Sequence, residues 1–163
     1  MIKKNLKILL TYSIGILVSL FLSIPLGFLC DISLIAFSSI TALLTLGFIY
    51  SEVWKFGKYD TVKKENKFIN SIFCMIGFII VTAIFELLII IFDNNLTRLI
   101  GAIWFYPYTG FIVSEFFIPI TLAATAITIL ISVLAYQMGV KGFSLTDKIL
   151  NSRKKRLDQK AEK

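Results

Sequence analysis

Four long apolar stretches, separated by short gaps that collect the lysines, constrain this chain more than any motif it carries. Residues 8–29 run without a formal charge. As a helix rising ~1.5 Å per residue they cover roughly 33 Å, which matches a hydrocarbon core of ~30 Å. Residues 34–53, 68–92 and 116–138 repeat the pattern, interrupted only by Glu52 and Glu86. In a chain of 163 residues, 57% apolar side chains exceed what a soluble core could bury, so the stretches are predicted to face lipid. The predicted fold is an all-α integral membrane protein with four transmembrane helices in a bundle. One transmembrane domain occupies 1–138, with spans at about 8–29, 34–53, 68–92 and 116–138 and an outer loop at 93–115. A basic cytoplasmic tail follows at 139–163.

The gaps set an orientation. Of seventeen Lys and Arg residues, three precede the first stretch, five lie between 55 and 67 and eight follow residue 139, all on one side of a four-pass arrangement; Arg98 is the exception. Basic residues accumulate on the cytoplasmic side, so both termini are predicted to be cytoplasmic. The net charge of +7 needs no nucleic-acid partner. The expected partner is the bilayer itself, with anionic lipids at the cytoplasmic face and the run 153–156 resting near them. Lys3, Lys4 and Lys7 resemble the basic start of a secretory signal, but the apolar run is longer than such signals carry and lacks a small-x-small cleavage site. A retained first span is therefore expected.

The segment 96–113 is apolar enough to suggest a fifth span, which would carry the basic tail to the outside. It contains Arg98 and the cluster Trp104, Phe105, Tyr106, Pro107 and Tyr108. Aromatic rings and a proline suit an interfacial or re-entrant segment between the third and fourth helices better than a span. The tail sequence Ser144-Leu145-Thr146-Asp147 reads as a capping box opening a short helix.

Small and hydroxylic residues recur at helical spacing. Gly15, Ser19, Ser23 and Gly27 fall every four residues and mark a face where a second backbone can come close. Pro25 is expected to bend that helix. Ser38, Thr41, Ala42 and Thr45 offer a shorter seam. Thr121, Thr125, Thr128 and Ser132 share a face of the last helix that Tyr136 continues; it reads as interhelical glue or as a polar permeation path.

Glu86 is the one acid well inside a stretch. An ionised carboxylate there costs a few kcal/mol, so it is expected to be protonated, paired or facing water. Thr82, one turn earlier, and Arg98, the one cation on the outer side, are its candidate partners. With Thr121, Thr125, Thr128 and Ser132 these form the candidate set for ion or solute coupling.

Catalysis finds little support. The chain has no histidine, no glycine-flanked nucleophile, no phosphate-cradling glycine loop and no aspartate inside a span. No metal or cofactor is expected, and Cys30 and Cys74 fall at different depths, which disfavours a disulfide. Gly57 is read as turning the chain out of the second helix and Gly139 as a left-handed cap of the fourth, which places Lys58 and Lys141 in the inner headgroup layer.

The segments Trp54-Lys55-Phe56-Gly57-Lys58-Tyr59-Asp60 and Tyr136-Gln137-Met138-Gly139-Val140-Lys141-Gly142-Phe143-Ser144 resemble parts of small uncharacterised integral membrane proteins of low-GC Gram-positive bacteria. The resemblance implies a bacterial cytoplasmic membrane and no particular activity. The functional expectation is a non-enzymatic accessory or interaction subunit; beyond the bilayer, the expected partners are a partner membrane protein or further copies of the chain. The alternative is a small oligomeric transporter or channel using Glu86 and the hydroxyl face.

Overall fold

The computed structural model describes residues 2–29, 33–64, 68–92, 94–111 and 116–142, the side chains of 26–29 excepted. Six α-helices and one 3-10 helix account for nearly all of them, and no strand occurs among the described residues. The elements are α1 (Ile2–Leu29), α2 (Leu34–Val62), α3 (Phe68–Phe73), α4 (Ile76–Phe92), α5 (Asn95–Trp104), the 3-10 helix Tyr106–Phe111 and α6 (Phe117–Val140). Three helices are long and apolar enough to cross a membrane: Ile2–Pro25 of α1, α2 and α6.

Hydroxyl side chains are buried among the apolar core, while large apolar side chains cover the outside. Ser19, Ser38, Thr41, Thr45, Thr82, Thr121, Thr128 and Ser132 are buried. Leu6, Leu10, Leu17, Phe21 and Ile24 of α1 and Leu122, Leu130 and Leu134 of α6 are exposed. Water would penalise such a surface at roughly 25 cal/mol per Å² of apolar area, whereas lipid tails accept it. Glycines lie where helices approach closely, and buried hydroxyls bond to backbone carbonyls, the packing that apolar surroundings favour.

The second helix extends nine residues beyond the expected end at 53. Val53, Phe56, Gly57 and Asp60 are all buried, at helical offsets that continue α2's inner face past the lysines. Gly57 is therefore inside the helix, against the expectation of a turn. A β-carbon on Gly57 would lie 2.2 Å from the Tyr136 carbonyl oxygen, and one on Gly139 would lie 2.1 Å from that of Trp54. These two glycines are where α2 and α6 cross. Gly139 accordingly does not cap α6; Gly142, at φ +64, takes the left-handed conformation just beyond the helix.

The expected third pass, 68–92, is two helices. Met75 N–H donates to Ile72 O at 2.9 Å, a tight i−3 bond, and Gly77 N–H donates to Asn5 Oδ1 of α1 at 2.9 Å. In an unbroken helix the Gly77 N–H would point at residue 73. Asn5 thus acts as a cap delivered from another helix, and α4 alone has 17 residues, about 26 Å.

Within the expected loop 93–115, the described residues 94–111 are mostly helical. Asn94 caps α5 in a reciprocal capping box with Thr97, and α5 then folds back along α4. A β-carbon on Gly101 would lie 2.4 Å from Ile89 Cδ1, and Trp104 Nε1–H donates to Thr82 Oγ1 at 3.2 Å. Thr82 lies ten residues before the end of α4, so the hairpin descends roughly 15 Å. The 3-10 helix climbs back along α2, where Thr41 Oγ1–H donates to Pro107 O at 2.9 Å and Gly110 N–H donates to Ser38 Oγ. Phe105, Pro107 and Tyr108 are buried. The tail capping box, the basic run 153–156 and Cys30 lie outside the described residues.

Candidate functional site

The first turns of α1, the last two turns of α2 and the end of α6 converge at the lysine-rich end of the bundle. Asp60 of α2 is 1% exposed and accepts three bonds there. Both of its oxygens receive the Lys4 ammonium, Oδ2 at 2.7 Å, and Oδ2 also receives Tyr136 Oη–H at 2.7 Å. Asn70 of α3 lies against the same tyrosine hydroxyl. A carboxylate this buried is tolerable only when paired and fully hydrogen-bonded, and this trio satisfies the condition while tying three helix ends together.

About two turns earlier in α2, Glu52 holds two cations, Lys7 Nζ at 3.1 Å and Lys55 Nζ at 2.9 Å. The Phe56 ring carries the ammonium groups of Lys4 and Lys7 at 5.7 and 5.8 Å from its centre. Between these groups opens a cavity of about 590 Å³, lined by Lys3, Lys4, Lys7, Lys55 and Lys63 together with Phe56, Tyr59, Asp60 and Asn70. Five lysines face one lining carboxylate, with Glu52 adding a second behind Lys7 and Lys55. The cavity is therefore strongly positive and suited to an anion.

Lys3, Lys4 and Lys7, the stretch Trp54 to Asp60 and Tyr136 each stand out in the sequence for other reasons, but nothing in it marks them as one site. Asp60 reads as a solvated loop acid until α2 is seen to continue, although its offset of seven from Val53 and four from Phe56 is a helical signal.

The residues expected to couple ions or solutes occupy the other half of the bundle. Thr82 is buried and is the acceptor for the Trp104 indole rather than a partner of Glu86. The Glu86 carboxyl lies against the Thr121 hydroxyl, and its Oε1 is buried without a partner. Arg98 is exposed in the first turns of α5. On α6, Thr121, Thr125, Thr128 and Ser132 donate back to carbonyls of their own helix at 3.0, 2.8, 2.8 and 2.7 Å. Thr128 also meets Tyr108 Oη at 3.3 Å.

The small-residue seam of α1 faces α2. A β-carbon on Gly15 would lie 2.7 Å from Thr45 Cγ2, and Ser19 is 1% exposed. Ser23 donates to Leu20 O, while the surroundings of Gly27 lie outside the described side chains. Cys74 is buried with a free thiol.

The chain matches no family model, no curated protein and no solved structure. Its function is therefore read from the geometry alone.

Proposed function

We propose that the chain is a four-pass protein of a bacterial cytoplasmic membrane, with both termini cytoplasmic, acting as a non-enzymatic accessory or interaction subunit. In this reading α3 and α4 together make the pass that α4 is too short to make alone. The Lys4–Asp60–Tyr136 trio supports the orientation, because it holds the start of α1 and the end of α6 at the same, lysine-rich end.

The observation that carries the reading is the filled interior. Trp104, Phe105 and Tyr108 occupy the space between the helices, in a segment that accepts bonds from Tyr12 and Thr41 and donates to Ser38 and Thr82. The α6 hydroxyls are spent on their own carbonyls, so the face that would line a path is closed by aromatic rings. A bundle so plugged serves as a docking and scaffolding element more readily than as a conduit. The test is the mass and composition of the complex extracted in mild detergent: a stoichiometric second protein is expected, and a homo-oligomer alone overturns the accessory role.

A second reading rests on Glu86, whose buried Oε1 lacks a partner. Such a group marks cation or proton coupling in transporters. Loss of flux through proteoliposomes in Glu86→Gln, with the fold intact, would favour this reading; unchanged flux removes Glu86 from any mechanism.

A further inference from the structure

We infer that the lysine-lined cavity between α1, α2 and α3 is a binding site for a phosphate-bearing ligand, the headgroup of an anionic lipid or a soluble phosphate compound. Its volume of about 590 Å³ falls within the range of small-molecule sites. Its charge is concave rather than spread over a surface, so field lines from the five ammonium groups concentrate inside it.

The ammonium groups are held in place before any ligand arrives. Lys4 is fixed by Asp60, itself held by Tyr136, and Lys7 and Lys55 share the single carboxylate of Glu52. Two cations on one carboxylate leave a local positive excess that a second anion neutralises. A phosphate offers several acceptor oxygens to such converging point charges, which is how lysine recognises it. The Phe56 ring, which lines the same cavity, holds the ammonium groups of Lys4 and Lys7 at 5.7 and 5.8 Å from its centre and so keeps the two charges together at the cavity wall. A basic pocket between helices at the cytoplasmic membrane surface is also where anionic headgroups settle.

The inference rests on the membrane reading for the lipid source alone. Extraction of the chain without detergent would refute that reading, whereas binding of a soluble phosphate probe reports on the cavity whatever surrounds it.

The test uses the full chain in a mild non-ionic detergent. Native mass spectrometry follows retention of dioctanoyl phosphatidylglycerol, with dioctanoyl phosphatidylcholine as the zwitterionic comparator and inorganic pyrophosphate as the soluble probe. Retention of one phosphatidylglycerol per chain, displaced by pyrophosphate, is the expected result. Lys3→Gln/Lys63→Gln, both exposed lining residues, should weaken it by about twenty-five-fold, about fivefold per lysine. Lys7→Gln alone should weaken it about fivefold. Lys58→Gln/Lys141→Gln removes the same charge outside the lining and should change binding less than about twofold. Pyrophosphate binding that depends on the lining lysines, with no lipid retention, assigns the cavity to a soluble phosphate compound. Equal weakening by the two double variants, equal retention of the two lipids, or no binding of any probe overturns the proposal.

Discussion

Gly57 of α2 and Gly139 of α6 meet backbone to backbone, each leaving no room for a β-carbon beneath the other helix's carbonyls. Close approach of this kind lets α2 and α6 pack along their length and brings Asp60 within reach of Tyr136. The prediction has a sign as well as a size. Gly→Ala in an exposed helix normally stabilises by about 1 kcal/mol, and Gly47, with open space where a β-carbon would go, should follow that rule. Gly57→Ala and Gly139→Ala should instead destabilise by about 2–3 kcal/mol through overpacking against backbone that cannot yield. Thermal unfolding in detergent, with Gly47→Ala as the internal reference, checks both directions.

The Lys4–Asp60 pair predicts a double-mutant cycle. Lys4→Met leaves the Asp60 carboxylate buried with Tyr136 and without the ammonium bonded to it, a cost of about 3 kcal/mol. Asp60→Leu frees a partly exposed ammonium and costs less. Lys4→Met/Asp60→Leu should recover much of the loss, because the penalty lies in the unpaired charge and not in the missing attraction. Additive losses in the unfolding midpoint would show that the pair contributes by packing alone.

The all-helical character and the three long apolar helices were legible because apolar runs of membrane length have few alternatives. What was missed has tertiary causes. The extension of α2 hid behind lysines, although Val53, Phe56, Gly57 and Asp60 carry helical spacing. The break at Cys74 and Met75 has no proline, and its agent, Asn5, lies 72 residues away in sequence from the Gly77 it caps. The hydroxyl seams were legible as seams, but their use was not. The sequence marks where Thr41 and Ser38 lie, while the 3-10 backbone they bind is chosen by the fold.

Asn5 therefore carries a prediction of its own. Asn5→Ala removes the acceptor for the Gly77 N–H and should cost about 1 kcal/mol, the worth of a lost N-cap. The effect is local: amide exchange at Gly77 should quicken while the crossing at Gly57 keeps its protection. Uniform quickening across α2, α4 and α6 would mean that Asn5 supports the whole bundle and not the start of α4.

The hydroxyls divide into those that hold the aromatic hairpin and those that serve only their own helix, and substitution should separate them. Thr41 donates to the Pro107 carbonyl, which lies in a 3-10 segment buried between helices. Thr41→Val keeps the shape and leaves that carbonyl without this donor, at a cost of about 1–2 kcal/mol. Tyr12→Phe does the same to the Trp104 carbonyl, reached by Tyr12 Oη–H at 3.0 Å. Thr125 donates to Thr121 O within α6, a carbonyl the helix already uses, so Thr125→Val should change stability by less than about 0.5 kcal/mol. Tryptophan fluorescence adds a second readout. Trp104 sits against Tyr12, Phe78 and Phe85 at ring separations of 4.8, 6.2 and 5.1 Å, so loosening the hairpin should raise quencher access in Thr41→Val and Tyr12→Phe and leave it unchanged in Thr125→Val. Equal effects from all three would mean that the hairpin is held by aromatic packing and that the hydroxyls are interchangeable.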